Sequence, residues 1–206
     1  MLGVIGMIID QIHDLQQVYR KVLHSMSRPG NISQLNNITE KMDEELPCNN
    51  AFFLCTLTLL DAEVTFHVVA NEEDKARLTE IISSYTMSQT APMDKADFIL
   101  LLQDTPEYHV EQVLRECKIG SLLDPQQSAT WIMESVHLSN SPALSLSGPG
   151  INGVQPLQTG SDGEFWKRRN ERVKEYPLGI DVILADFSNQ IACIPRTTSV
   201  TMMEVI

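Results

Sequence analysis

Basic side chains are scarce in this chain. Its 206 residues include 15 Lys and Arg against 27 Asp and Glu, which gives a net charge of −12 at pH 7. An acidic surface repels phosphate backbones and anionic lipid headgroups, so we expect neither nucleic acid nor a membrane as a partner. The hydrophobic share of 43% is ordinary for a globular protein, and a chain of this length can bury a full core. We therefore expect one domain over residues 1–206.

Closely spaced cysteines and long hydrophobic runs are also missing. The four cysteines form no C-x-x-C pair, and Cys55 and Cys193 lie in apolar runs, where a free thiol behaves as a small hydrophobe. The apolar stretch at residues 1–9 contains no basic residue and is too short to span a bilayer. These features predict a cytoplasmic protein with reduced thiols.

The residue sets that hold metals and pyridoxal phosphate are not evident. The five histidines form neither H-x-H nor H-E-x-x-H. Pyridoxal phosphate needs a lysine for its Schiff base and an acidic partner for its ring nitrogen. Asp181 could be that partner, but the seven lysines lie on polar helix faces or in loops. We expect no cofactor and no metal.

One glycine-rich segment matches a dinucleotide-binding pattern. Residues 148–153, Gly-Pro-Gly-Ile-Asn-Gly, satisfy G-x-G-x-x-G and follow a predicted strand. A dinucleotide site needs a helix to begin at that turn, and here Pro156 and a polar run delay the next helix by about ten residues. A tight turn that requires glycine is the better interpretation.

Periodicity predicts helices that alternate with strands through most of the chain. Helices are predicted over 14–26, 51–60, 72–85, 106–117 and 163–175, and strands over 31–35, 63–70, 97–102, 129–138, 142–146, 180–185 and 190–194. The last two strands are predicted to form a hairpin. Residues 36–49 are expected to form a surface connection, and the residues after 198 a short tail. The pattern indicates an α/β fold with a mixed sheet and helices on its faces.

The sequence also predicts three local features. The first helix should bury Leu15, Val18, Tyr19, Val22 and Met26, which share one face. Asn71 should cap the helix that follows it, and Thr105 should cap the helix that begins at Pro106; these capping predictions rest on side-chain oxygens at the N-cap position.

Five of the basic residues lie in a stretch of eight positions inside the last predicted helix. This local patch is either a solvated helix face or a contact for an acidic partner or a polyphosphate, and Glu171 interrupts it. The residues are Lys167, Arg168, Arg169, Arg172 and Lys174.

Four segments occur in an order that resembles the PhnH family, from about residue 14 to the end of the chain. They are Met26-Ser27-Arg28-Pro29-Gly30, Ser145-Leu146-Ser147-Gly148-Pro149-Gly150-Ile151, Tyr176-Pro177-Leu178-Gly179-Ile180-Asp181 and Pro195-Arg196-Thr197-Thr198, with Phe165-Trp166 and Asn170 between them. The resemblance implies a three-layer α/β/α fold like the large domain of pyridoxal-phosphate-dependent transferases. It also implies a homodimer that assembles with other subunits of the carbon–phosphorus lyase core complex.

The resemblance implies an accessory subunit, needed for coupling alkylphosphonate to the ribose of ATP with loss of adenine. The sequence offers no evident catalytic residues, so whether this chain is itself a transferase or lyase is left open. The alternative is a stand-alone enzyme or binding protein for a small phosphorylated metabolite.

The candidate contact residues for a ligand or partner are Arg196, Thr197, Thr198 and Asp181. An arginine followed by two hydroxyls suits a phosphate or carboxylate, although a structural arginine bonded to carbonyls is as well supported. Four further residues are expected to serve turns or structure: Gly148, Gly150, Pro177 and Gly179.

Overall fold

The computed structural model describes residues 9–42, 45–161 and 163–203. These residues form six α-helices: α1 (His13–Ser27), α2 (Asn36–Thr39), α3 (Asn50–Leu59), α4 (Glu72–Thr86), α5 (Glu107–Glu116) and α6 (Gly163–Arg172). They also form ten strands: β1 (Ser33–Gln34), β2 (Thr65–Val69), β3 (Gln89–Thr90), β4 (Phe98–Leu101), β5 (Thr130–Ser135), β6 (Ser139–Ser147), β7 (Gln155–Gln158), β8 (Asp181–Asp186), β9 (Gln190–Ile194) and β10 (Ser199–Met202).

A seven-stranded mixed sheet forms the centre of the fold. Its order is β1-β9-β8-β5-β4-β2-β3, in which β3, β2, β4, β5 and β8 run parallel while β9 and β1 run antiparallel to their neighbours. The central strands are apolar on both faces, as in β8, where residues 182–185 are all buried. Such strands need cover on both sides of the sheet.

The two faces of the sheet carry separate hydrophobic clusters. On one face α1, α3 and α4 contribute Val18, Phe52 and Leu78. On the other face α5 and α6 contribute Leu114 and Trp166, together with apolar residues of a three-stranded antiparallel sheet of order β10-β6-β7. The mixed sheet with helices on its faces confirms the predicted α/β architecture.

Several local predictions are confirmed. The helix over 51–60 is α3, which is buried on almost every side, and this explains why its sequence shows no polar face. The side chain of Asn71 accepts a hydrogen bond from the backbone N–H of Asp74 at 2.9 Å and caps α4. The final hairpin is β8–β9. The apolar strands β2, β4, β5 and β8 are also where the sequence predicts them.

Other predictions are wrong, for identifiable reasons. Thr105 does not cap α5, because its hydroxyl donates to the carbonyls of Val69 and Leu102 at the ends of β2 and β4. Tyr19 is 46% exposed instead of buried. Residues 36–49 include the short helix α2, which buries Ile38. The predicted tail after residue 198 is β10, which pairs with β6.

Within the described ranges, none of the helices has both the length and the apolar character that crossing a bilayer requires.

Candidate functional site

The four segments that carry the family resemblance meet at one end of the molecule. This end lies at the amino-terminal edge of the parallel strands, where β8 begins at Asp181 and β9 ends at Ile194. The N–H of Gly30 donates to the carbonyl of Cys193 in β9. Segment 145–151 leads from β6 into the loop beside residues 195–198, since Ser147 pairs with Ser199. We call this region the motif corner: residues 26–30, 145–151, 176–181 and 195–198, with loop 119–125 packed against them.

Arg196 joins three parts of the motif corner. Its Nε lies 3.1 Å and 3.3 Å from the carboxylate oxygens of Asp181, and Nη2 also donates to that carboxylate. The backbone N–H of Arg196 donates to Asp181 Oδ1 at 2.7 Å, and Nη1 donates to the carbonyl of Pro125 at 2.6 Å. The structure therefore brings the two candidate residues Arg196 and Asp181 together as an internal ion pair, with the guanidinium turned inward.

Arg169 binds the loop at residues 195–198 from the interior of the protein. This side chain is fully buried, and it donates to the carbonyls of Thr198 at 2.8 Å and Pro195 at 2.6 Å. Burial lowers the pKa of Arg169 to about 10, with Asp181 acting in the opposite direction. Asn170 adds a bond to the carbonyl of Val200 at 2.6 Å. Sequence reasoning missed this role because the carbonyls that surround Arg169 come from residues almost 30 positions later.

The predicted turn residues lie in the contacts between the segments. Gly150 has φ +83°, and a Cβ there would lie 2.3 Å from the carbonyl oxygen of Ser27. Gly148 has φ +136°, and its Cβ would lie 2.9 Å from the carbonyl oxygen of Thr197. The N–H of Gly179 donates to the carbonyl of Ile119, and the peptide bond before Pro177 is cis.

The five basic residues of the α6 region do not form one patch. Lys167 pairs with Glu164 and Arg168 pairs with Glu111, each at 2.5 Å. Arg172 donates to the carbonyl of Cys117 at 2.6 Å. Arg169 is buried and Arg172 is bonded to a backbone carbonyl, so neither belongs to an exposed patch, whereas Lys167 and Lys174 are exposed.

A cavity of about 270 Å³ lies at the opposite, carboxyl-terminal edge of the sheet. It opens beyond the ends of β4 and β5, between α5 and α6. In α/β sheets, ligands bind beyond the carboxyl ends of strands near the point where the strand order reverses. Here the chain moves from β2 to β3 in one direction and from β4 to β5 in the other, so the cavity lies next to such a point.

Three kinds of side chain line the cavity. Its floor is apolar, with Leu101, Met133 and Phe165 among others. Hydroxyl groups and carboxylates surround the floor, together with a single arginine. The polar lining residues are Gln103, Thr105, Glu107, Glu111, Glu134, Ser135, Thr159, Ser161, Glu164 and Arg168.

Glu134 is the carboxylate that the fold buries most deeply in this lining. Burial is the largest influence on it and raises the pKa of Glu134, although hydrogen bonds from the backbone and side chain of Asn49 and the backbone of Gln103 act in the opposite direction. Oε1 accepts from Asn49 N at 2.6 Å and Nδ2 at 3.0 Å, whereas Oε2 accepts from Gln103 N at 3.2 Å. A carboxylate oxygen has room for two donors, so Oε2 can accept one more.

Sequence reasoning did not identify Glu134. The available signal was a lone carboxylate at the end of the apolar run Trp131-Ile132-Met133, where the strand leaves the core. Charged residues are rarely buried without a partner or a role, and those at the carboxyl ends of parallel strands belong to the edge where ligands bind.

The cavity does not fit pyridoxal phosphate. Its described lining includes no lysine for a Schiff base, and its four carboxylates would repel the phosphate of the cofactor. The expectation that this chain binds no such cofactor stays a prediction.

Comparison with known proteins identifies the family. Residues 7–201 match the model of a family described as "Bacterial phosphonate metabolism protein (PhnH)". The chain belongs to the PhnH family. It is also similar to a Stutzerimonas stutzeri protein named "Putative C-P lyase subunit protein HtxG", with 30% identity over 197 residues that cover 91% of this chain and 86% of the relative. The match confirms the family resemblance that the four segments carry. It also connects the protein with phosphonate metabolism.

Proposed function

We propose that this protein is an accessory subunit of the carbon–phosphorus lyase complex, required when alkylphosphonate is coupled to the ribose of ATP. Membership of the PhnH family and the name of the Stutzerimonas stutzeri relative support the role in phosphonate metabolism and in this complex. The coupling step is the finer part of the proposal, and it follows from what the family resemblance implies.

The motif corner is the observation that carries this proposal. Its charged groups bond within the chain: Arg196 to Asp181 and Pro125, and Arg169 to the loop carbonyls. Large apolar side chains project outward from the two loops that these bonds hold. Leu122, Leu123 and Tyr176 are 65%, 92% and 75% exposed. Exposed leucine and tyrosine on rigid loops are typical of a surface that a protein partner covers.

We therefore propose that Asp181, Arg196, Thr197 and Thr198 serve a partner contact by shaping the motif corner. The N–H of Gly179 donates to the carbonyl of Ile119, and Arg196 donates to the carbonyl of Pro125, so the loops that carry Tyr176 and Leu123 are tied to one another. This arrangement fixes the exposed side chains before a partner arrives, which lowers the entropic cost of association.

Co-purification with the sister subunits tests the proposal. Leu123→Asp places a charge on the outermost residue of the motif corner and should abolish recovery of the complex while the isolated protein stays folded. Phe187→Asp is the matched control, because Phe187 is also exposed but follows β8 at the other edge of the sheet. Equal recovery of the two variants would contradict the docking role of the motif corner.

We propose a homodimer, a single domain over residues 1–206 and a cytoplasmic location. The sequence offers two apolar candidates for the dimer contact, the run at residues 1–9 and the C-terminal strands, and residues 1–8 lie outside the described part of the chain. Ile12, just before α1, and Tyr19 and Leu23 on α1 are exposed and offer a further apolar surface for that contact. Kinship of the fold with the large domain of pyridoxal-phosphate-dependent transferases also stays a proposal.

The alternative, a stand-alone enzyme or binding protein for a phosphorylated metabolite, has less support. Arg196 and the exposed Thr197 beside it favour an anion, but the arginine fork already faces Asp181. The cavity, in turn, carries more acidic than basic groups. Turnover of a phosphorylated metabolite by the isolated protein would establish this alternative.

A further inference from the structure

The cavity at the carboxyl edge of the sheet is acidic, and this excludes anionic ligands such as phosphonates and nucleoside triphosphates. Among the described residues, Glu107, Glu111, Glu134 and Glu164 line it, against the single guanidinium of Arg168. The first turns of α5 and α6 also reach the cavity, and each helix N-terminus adds roughly half a positive charge. An excess of about two negative charges remains among these lining groups. The whole chain adds to this field, with a net charge of −12.

The salt bridges of the lining do not remove this excess. Arg168 donates to Glu111 at 2.5 Å, so the one cation of the lining is already committed to one carboxylate. Lys167 contacts Glu164 from outside the lining, with both side chains at least half exposed to water. Lys167 lowers the local excess to about one negative charge, so the cavity stays acidic.

The carboxylates are also spaced in a way that disfavours a metal ion. Among the described residues, no three carboxylates, histidines or cysteines converge closely enough to coordinate one. The floor is apolar, with Leu101, Leu114 and Met133 facing the space between the helices. A bare ion would gain nothing from that floor, whereas a carbon chain would bury against it.

The size of the cavity sets a further limit. Sites for drug-sized ligands have volumes of roughly 300–1,000 Å³. At about 270 Å³, this cavity is smaller than that range and suits a molecule of a few carbon atoms. A nucleoside triphosphate would exceed it in size as well as carrying the wrong charge.

We propose that this cavity binds a small organic cation, a primary ammonium or guanidinium group on a short carbon chain. The carbon chain lies over Leu101 and Met133, and the cationic group faces the carboxylates of Glu107 and Glu164 at the rim. The free acceptor position on Glu134 Oε2 and the hydroxyl of Ser161 provide further acceptors for its N–H groups. This ligand class goes beyond the proposed subunit role and does not depend on it.

Probes of one shape and different charge test the proposal on the full-length protein. n-Butylammonium, 1-butanol and butyrate are titrated into protein labelled with ¹³C at the methionine methyl groups. We expect n-butylammonium to shift the methyl signal of Met133 in the cavity floor, and to leave Met42, which is buried on the other face of the sheet, unchanged. The order of affinity should be ammonium, then alcohol, then carboxylate.

Charge-neutralising variants separate the cavity from the general field of the protein. Glu107→Gln and Glu164→Gln should each weaken n-butylammonium binding about two- to fivefold, the range expected for one partly exposed ion pair. Glu80→Gln removes the same charge from the exposed side of α4 and should leave affinity unchanged. The proposal is overturned if 1-butanol or butyrate shifts Met133 as strongly at the same concentrations. It is equally overturned if Glu80→Gln weakens binding as much as the cavity variants do.

Discussion

Arg196→Lys keeps the positive charge of the motif corner but replaces a planar fork by a single ammonium group. In the native protein Nε and Nη2 face Asp181, while Nη1 donates to the carbonyl of Pro125 at 2.6 Å. A lysine side chain is shorter in reach and has one donor centre, so it cannot serve both partners in these directions. We expect the variant to keep a contact with Asp181 and to lose the link to loop 119–125.

The size of the effect follows from burial. The side chains of Arg196 and Asp181 are 17% and 21% exposed, so water screens their interaction only in part. A hydrogen bond that involves a charged group contributes roughly 1.5–3 kcal/mol to stability. Loss of the bond to Pro125, with the fork to Asp181 weakened, should lower the free energy of unfolding by about 2 kcal/mol. For a chain of this size that corresponds to a fall of ~4–8 °C in Tm.

Denaturant unfolding of four proteins measures this: the native chain, Arg196→Lys, Asp181→Asn and the double variant. We expect a coupling energy of at least ~1 kcal/mol between the two substitutions, because they act on one ion pair. Recovery of the complex is measured in parallel and should fall together with stability. If Arg196→Lys unfolds like the native chain but fails to assemble or to support growth on phosphonate, the side chain grips an external anion. The internal role described above would then be refuted.

Three further substitutions test other parts of the structure. Gly150→Ala should cost about 2 kcal/mol more than Gly153→Ala, because both positions have φ near +80° but only Gly150 meets a carbonyl oxygen; matched unfolding curves measure the difference. Tyr19→Asp on α1 should shift a homodimer to monomer in sedimentation velocity, and an unchanged dimer would exclude this surface. Glu134→Gln should gain stability relative to the native chain as pH rises above about 4.5. The raised pKa of native Glu134 means that its stabilising contribution is lost as pH rises through that pKa. A Tm difference between Glu134→Gln and the native chain that is the same at pH 5 and at pH 8 would contradict this last expectation.

Most of the central sheet could be predicted because its buried strands have a recognisable apolar composition, whereas the exposed two-residue strand β3 was not predicted. β8 and β4 are short runs of branched apolar residues, and burial on both faces requires that composition. The strands β7 and β10 were not predicted because each is short and buries a single apolar side chain, Leu157 and Val200. β10 pairs with β6, which is distant in sequence, whereas β7 follows β6 directly but has no strand periodicity in its sequence Gln-Pro-Leu-Gln.

The two candidate sites also differ in how much of each can be recognised from local sequence. Asp181 and Arg196 stand out in the sequence, since each lies at the end of an apolar strand, but nothing local shows that they face each other. The antiparallel register of β8 and β9 creates that pair. The cavity depends on even more distant parts, because α5, α6 and the ends of β4 and β5 form its walls. Glu134, a lone glutamate at the end of an apolar run, was the local sign of the cavity in the sequence.

Helix α6 connects the two regions, and this decides which substitutions can separate their functions. Its side chains Phe165 and Arg168 line the cavity, while Arg169 and Asn170 hold the carbonyls of the motif corner. A substitution at Arg169 would leave buried carbonyls without donors and would shift the helix that forms the cavity wall. Its effect on assembly could therefore not be assigned to either region. Leu123 and Glu107 lie outside this helix, one at each edge of the sheet, so loss of assembly from one and loss of cation binding from the other are independent results.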